Sequence, residues 1–243
     1  MPQQNPRNQQ IPNGGLGAIV LGAGNSSRMD GFDKVLEPIL EKPIITYSLN
    51  ILDKCQQIDE IVLVMGKHNF EEGKALVENG PWNKISRVCL GGARRQDSVR
   101  LGLECLPPLK WILIHDGARP CLDDSIVIRG LEAVVETGAA AAAVPVKDTI
   151  KIAGDSHVVT STLPRKSLWS AQTPQLFRRE LLVKAHASIA NNVTDDASMI
   201  EDLGYQVKLF VGSYDNIKIT VPNDIKIAEL ILSSRFTTQN MIK

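Results

Sequence analysis

The sequence predicts an α/β fold built on a doubly wound, largely parallel sheet. Short apolar runs, each suited to one buried strand, alternate with segments of helical apolar spacing as far as Pro145. Glycine, proline or polar clusters bound these runs. Small and basic residues follow the runs at 16–21, 85–90 and 111–114, and in such sheets ligands bind beyond the carboxyl ends of the strands.

Residues 16–21 read as a buried strand, and 43–52 as a helix with Pro43 near its first turn. The strand at 61–65 comes next, and Asn69 is placed to cap a helix reaching about residue 78. A strand at 85–90 precedes a helix at 96–106, where Val99, Leu103 and Leu106 recur at helical spacing. A strand at 111–114 and a helix at about 124–136 continue the alternation. Residues 139–144 are five alanines and a valine; alanine favours helix, but the run is short, lies between Gly138 and Pro145, and falls where a strand is due. The rhythm then changes. Residues 149–152 and 157–160 flank Gly154-Asp155-Ser156, the pattern of a β-hairpin. A lone hairpin is marginal in water, so this arm is expected to pack on another copy of the chain. Helices near 179–188 and 195–203, a strand at 207–211, a short strand at 217–220 and a closing helix from Pro222 complete the reading.

The 243 residues suit one domain: a disordered polar tail at 1–15, then a single domain at 16–243 with the arm, about 146–168, inserted. Lys plus Arg equals Asp plus Glu at 27 each, so no global field draws the chain to nucleic acid or an anionic membrane. The tail has no apolar run for a secretory signal or a membrane span. A cytoplasmic protein is expected, with import into a plastid or other organelle left open. Cys55, Cys89, Cys105 and Cys121 are dispersed, form no zinc-type pair, and read as reduced core thiols.

The segment Leu21-Gly22-Ala23-Gly24-Asn25-Ser26-Ser27-Arg28-Met29, followed by Lys34, puts small residues and two cations where a strand ends. Glycines permit close approach of the main chain and φ > 0, and successive N–H groups make an anion nest, so the loop suits a polyphosphate. The dinucleotide fingerprint fails at Ser27, and the strand at 61–65 ends in Gly66-Lys67 instead of an acid. The triphosphatase P-loop fails because His68 follows Lys67 and Ala75 follows Lys74. A bare glycine turn is the alternative. Gly91-Gly92-Ala93-Arg94-Arg95-Gln96-Asp97-Ser98 is a second phosphate-compatible segment before a helix, or a glycine turn with solvated arginines. In His115-Asp116-Gly117-Ala118-Arg119-Pro120, Asp116 can ligate a hard cation and Arg119 can fork onto phosphate, or the two can form a loop-ordering ion pair. His115 reads as hydrogen-bonded structure. Lys218 alternates with Ile217 and Ile219 and faces either the cleft or solvent; Arg165 carries the same ambiguity. The stretch Trp169-Ser170-Ala171-Gln172-Thr173-Pro174-Gln175 yields no chemistry on its own, and no Gly-x-Ser-x-Gly elbow is present.

Taken in order, these motifs resemble the methylerythritol phosphate cytidylyltransferase family. The resemblance runs from about Gly17 to Leu232 and adds Pro145-Val146-Lys147-Asp148-Thr149-Ile150-Lys151, Leu168-Trp169, Gln172-Thr173-Pro174-Gln175, Thr194-Asp195-Asp196 and Asn216-Ile217-Lys218. It implies a Rossmann-like nucleotidyltransferase core and a homodimer whose hairpin arms embrace, each lending residues to the neighbouring site. Gly22, Ala23, Gly24, Gly92, Arg95 and Ser98 would form the CTP site. Asp116, Gly117, Arg119 and Lys218, with Thr149 and Arg165 from the partner chain, would bind methylerythritol phosphate. Arg28, Lys34, Arg165 and Lys218 would stabilise charge as an acceptor phosphate oxygen attacks the α-phosphorus and magnesium-bound pyrophosphate leaves, with Asp116 as the candidate protein ligand of Mg2+.

Ala93, Asp33, Gly117 and Gly22 depart from residues common in that family, which bears on metal ligation and loop rigidity. A sister alditol phosphate cytidylyltransferase acting on ribitol phosphate is the nearest alternative. A non-catalytic dimeric nucleotide-binding module is the more distant one.

Overall fold

The computed structural model describes residues 13–24, 33–188 and 191–241. In chain order, β1 (Leu16–Gly22) leads to a small antiparallel pair, β2 (Pro38–Ile39) and β3 (Lys42–Pro43), and then to α1 (Ile44–Lys54). β4 (Glu60–Met65), α2 (Phe70–Glu78), β5 (Ile85–Leu90), α3 (Arg95–Cys105), β6 (Trp111–Asp116), α4 (Asp124–Thr137) and β7 (Ala139–Pro145) alternate as expected. The arm strands are β8 (Lys151–Ala153) and β9 (Val159–Thr162); a 3-10 turn at Arg165–Ser167 leads into β10 (Trp169–Arg178). α5 (Arg179–Ser188), α6 (Asp196–Asp202), β11 (Lys208–Val211) and α7 (Pro222–Met241) follow.

Seven strands form one sheet in the order β11-β7-β10-β6-β1-β4-β5. The pairings of β1 with β4 and β6, of β4 with β5 and of β7 with β11 are parallel. β10 is antiparallel to both neighbours, β6 and β7. Strand alternation divides the core between the two faces. Ala18, Val20, Leu63 and Met65 point to the face covered by Leu49, Leu52, Ile126 and Leu131 of α1 and α4. Ile19, Val62 and Val64 point to the face covered by Val99, Leu103, Leu182 and Met199 of α3, α5 and α6. The alanine run is the strand β7, buried from Ala139 to Val144; side chains this small let α4 approach the sheet. α4 ends on Gly138, whose φ of 80° is the left-handed cap that stops a helix before the strand begins.

Four expectations need correction. The short strand at 217–220 is an extended loop held by single bonds such as Ile219 N to Ala118 O, 2.8 Å. The hairpin exists, but its strands start two residues later than expected, at Lys151 and Val159, with a wider turn at 154–158 in which His157 takes a φ of 57°. Asn69 precedes α2 without capping it; its amide Nδ2 donates instead to Gly22 O, at 3.1 Å, and to Asp33. The stretch from Trp169, given no element from sequence, is the ten-residue strand β10 inside the sheet. Residues 1–12 of the expected tail lie outside the described residues.

Candidate active site

The carboxyl ends of β1, β4, β5 and β6 open onto one cavity of about 850 Å³. Parallel pairing dictates this: Leu21 lies opposite both Val64 and Asp116, so the loops leaving the three strands emerge side by side. Ala23, Gly24 and Lys34 line the cavity from the β1 side, Gly92, Arg95 and Ser98 from the start of α3, and Asp116 and Lys218 from the far side. A second cavity of about 220 Å³ lies beyond them, bounded by Arg119, Gln172, Thr173, Gln175, Thr194 and Asp195. Arg95, Asp116 and Lys218 line both, forming the wall between the two spaces.

Asp116 organises that wall. Its Oδ2 lies 2.9 Å from Lys218 Nζ and 3.6 Å from Arg119 Nε, and its Oδ1 3.5 Å from Arg95 Nε. Burial by itself would raise the Asp116 carboxyl, but Arg95, Lys218 and Arg119 outweigh it and hold the group well below the usual carboxylate range. The strand β10 fixes the backbone here, for Asp116 N donates to Thr173 Oγ1 at 3.0 Å. Lys218 is placed without a strand: Asn216 donates from Nδ2 to Thr173 O at 2.8 Å, and Arg119 Nη1 donates to Asn216 O at 2.8 Å. Ile219 is fully buried beside it, so the predicted alternation survives and turns Lys218 toward Asp116. His115 is buried between Thr173 Oγ1 and Arg119 O and is structural, as expected.

The expected cation ligand does not fit this geometry. Both oxygens of Asp116 already face cations, and no group of three or more His, Cys, Asp or Glu side chains able to hold a metal ion occurs among the described residues. A divalent cation on Asp116 would have to displace Lys218 and Arg95 against their own charge.

Gly22, Gly91 and Gly92 act through space and not through backbone sign, while a Cβ on Gly24 would meet nothing within 4 Å. Gly22, Gly24, Gly91 and Gly92 all keep φ outside the left-handed region, contrary to the freedom expected of them. A Cβ on Gly22 would come 2.6 Å from Met65 Sδ, and one on Gly117 2.8 Å from Ile45 Cδ1. Ile45 and Met65 beneath the loop are thus the side chains that would have to shift for an alanine at either position. Ser98 lines the cavity, but its hydroxyl is occupied, accepting from Gly92 N at 3.1 Å and donating to Arg94 O at 3.2 Å. It braces the loop from which Gly92 faces the cavity.

Of the remaining expected residues, Gly22 and Gly117 support the floor without lining either cavity, and Arg119 lines only the smaller one. Thr149 and Arg165 line neither; Arg165 is exposed and donates to Lys147 O at 2.9 Å within the arm. Arg28 lies in 25–32, outside the described residues. Gly66, Lys67 and His68 also line the large cavity, although the sequence reading named them only in rejecting the dinucleotide and P-loop motifs. Their signal was positional: they follow a parallel strand adjacent to β1, at the sheet edge where ligands bind.

The family model for 2-C-methyl-D-erythritol 4-phosphate cytidylyltransferase matches residues 16–234. The 2-C-methyl-D-erythritol 4-phosphate cytidylyltransferase of Dehalococcoides mccartyi (strain CBDB1) is 45% identical over 217 residues, covering 89% of this chain and 96% of that protein. The enzyme of the same name from Caldanaerobacter subterraneus subsp. tengcongensis is 39% identical over 223 residues, covering 89% and 98%. The crystal structure of 4-diphosphocytidyl-2C-methyl-D-erythritol synthase from Anaerococcus prevotii superposes with a TM-score of 0.79 at 30% identity, covering 90% of this chain and 99% of that one. A match of this length, on a sheet whose strand ends bring Lys34, Arg95 and Lys218 to one cavity, identifies the chain as a member of the 2-C-methyl-D-erythritol 4-phosphate cytidylyltransferase family.

Proposed function

We propose that the two cavities are the nucleotide and acceptor halves of one site. The chain is a cytidylyltransferase of non-mevalonate isoprenoid biosynthesis, forming CDP-methylerythritol and pyrophosphate from CTP and 2-C-methyl-D-erythritol 4-phosphate. The observation that carries the site reading is the shared wall: Arg95, Asp116 and Lys218 border both spaces, where the α-phosphate of one substrate and the phosphate of the other must meet. An acceptor phosphate oxygen attacks the α-phosphorus, the bond from phosphorus to the bridging oxygen breaks, and pyrophosphate leaves with that electron pair. The protein supplies position and charge. Ala23, Gly24, Gly92 and Ser98 leave room at the cytidine end, Lys34 approaches the triphosphate, and Lys218 and Arg119 receive the acceptor phosphate while Asp116 keeps them in register.

The family reaction generally uses a divalent cation. Because Asp116 is surrounded by cations, no protein carboxylate of this wall would hold a divalent cation; one carried in with the nucleotide would supply positive charge against the pyrophosphate, beside that of Lys34. Titrating Mg2+ into the protein without CTP should then give no stoichiometric binding, and a tight site in the free protein would restore Asp116 as its ligand. The exposed hairpin supports a homodimer in which Thr149 and Arg165 reach the partner's acceptor pocket.

Turnover tests the reading directly. Lys34→Ala should lose about a hundredfold in kcat, on the order of 3 kcal/mol for one preorganised donor, while keeping the wild-type unfolding midpoint. Near-normal turnover would remove Lys34 from the mechanism. Pyrophosphate release should be faster with methylerythritol phosphate than with ribitol phosphate, and the reverse order would reassign the acceptor.

A further inference from the structure

The Arg95 guanidinium lies between two carboxylates. Its Nε is 3.5 Å from Asp116 Oδ1 in the shared wall, and its Nη1 is 2.5 Å from Asp196 Oδ2 on the opposite side. Asp196 has no solvent exposure and lines neither cavity, so it is out of reach of either substrate. Its other oxygen, Oδ1, is buried without a hydrogen-bond partner. A fully buried carboxylate with one unsatisfied oxygen is costly, and a fold has little reason to keep it for stability alone. The neighbouring acid already does the structural work: Asp195 caps α6 by accepting from Ser198 N at 3.0 Å and ties it to β10 by accepting from Gln175 Nε2 at 2.7 Å. What Asp196 adds is a hold on Arg95. Burial works against the guanidinium charge, and Asp196, followed by Asp116, more than offsets it.

We infer that Asp196 is a positioning residue for nucleotidyl transfer, anchoring Arg95 from behind so that Asp116 stays shared among its cations. Without that anchor, Arg95 can turn both arms of its fork onto Asp116, the geometry Arg prefers with a carboxylate, and compete with Lys218 for it. Lys218 would then leave the wall between the two phosphates. The effect reaches the chemical step through the joint placement of two anions and leaves the cytidine end of the large cavity untouched.

The inference rests on the cytidylyltransferase reading, and a double-mutant cycle separates the two. Wild-type protein is assayed first with CTP and methylerythritol phosphate; absence of turnover overturns both. Asp196→Asn keeps the shape and removes the charge. It should lower kcat by 10- to 100-fold with the KM for CTP changed less than threefold. Asp196→Ser, smaller and open to a water molecule, should do the same and serves if the isosteric variant does not fold. Arg95→Gln alone should lose at least as much, and the double variant Arg95→Gln/Asp196→Asn should be no worse than Arg95→Gln, because Asp196 acts through that side chain. Additive losses in kcat, or wild-type kcat in a folded Asp196→Asn protein, would overturn the inference and leave the parent reading standing.

Discussion

At the residue scale, burial decides what a titratable group can do. The His115 imidazole is fully enclosed, and burial lowers it from an ordinary 6.5 to about 4, with neighbouring Asp116 opposing that shift and Arg119 reinforcing it. It is neutral in the fold, whereas the unfolded chain takes up a proton below about 6.5. Stability is therefore lost as pH falls through the window from 6.5 towards 4. Between pH 6.5 and 5 this one group should remove about 2 kcal/mol. Urea midpoints at pH 7 and 5 would show it, and His115→Gln should flatten the difference; an equal fall in both proteins would place the acid sensitivity elsewhere. Packing decides in the same local way at Gly22, where a Cβ would stand 2.6 Å from Met65 Sδ. Gly22→Ala should cost about 1–3 kcal/mol of stability by overpacking, read from the same urea curves.

At the element scale, the arm is the part least explained by its own chain. Every residue of β8 and β9 is exposed, including Ile152 and Val159, and Val158 in the turn is 65% exposed. Three- and four-residue strands with no buried face cannot stabilise themselves. On the proposed arm-to-arm pairing, the wild-type protein should sediment as a dimer, and replacing Ile152 and Val159 together by lysine should give a monomer without turnover, with the circular dichroism of the core unchanged. A fully active monomer would reject the shared-site arrangement. α3 makes the complementary point. Its first turn was read as an anion-binding start, yet its leading groups are engaged within the chain: Asp97 accepts from Arg94 N and Arg94 Nε, and Ser98 holds Gly92. The helix start builds the pocket wall, and its first residue, Arg95, is held between Asp116 and Asp196.

At the scale of the whole molecule, one antiparallel strand joins the halves. β10 runs between β6 and β7, so the nucleotide half, ending at β6, and the arm-bearing half, continuing from β7, become one sheet through it. Phe177 on this strand is completely buried among Ile112, Ile114, Leu182 and Met199. Phe177→Ala should cost about 3–5 kcal/mol in urea unfolding, and the residual folded protein should still turn over CTP, because Phe177 lies away from both cavities. A cost under 1 kcal/mol would mean the two halves are not joined there.

Much of this was legible from the chain alone. Strand and helix periodicity gave the alternation as far as β7, since burying one or both faces of an element leaves a repeating mark in sequence, and short polar loops at strand ends pointed to Lys34, Arg95 and Asp116, while Lys218 was left facing either the cleft or solvent. Tertiary structure decided the rest. β10 was hidden because Gln172, Thr173 and Gln175 are polar yet buried, satisfied by partners distant in sequence such as Asn216, Asp195 and Asp116. Lys67 and His68 joined the site through strand adjacency, and Asp196 acquired its hold on Arg95 across 101 positions of sequence. Local sequence records what a residue prefers; which charges face one another is set only when the sheet brings its strand ends together.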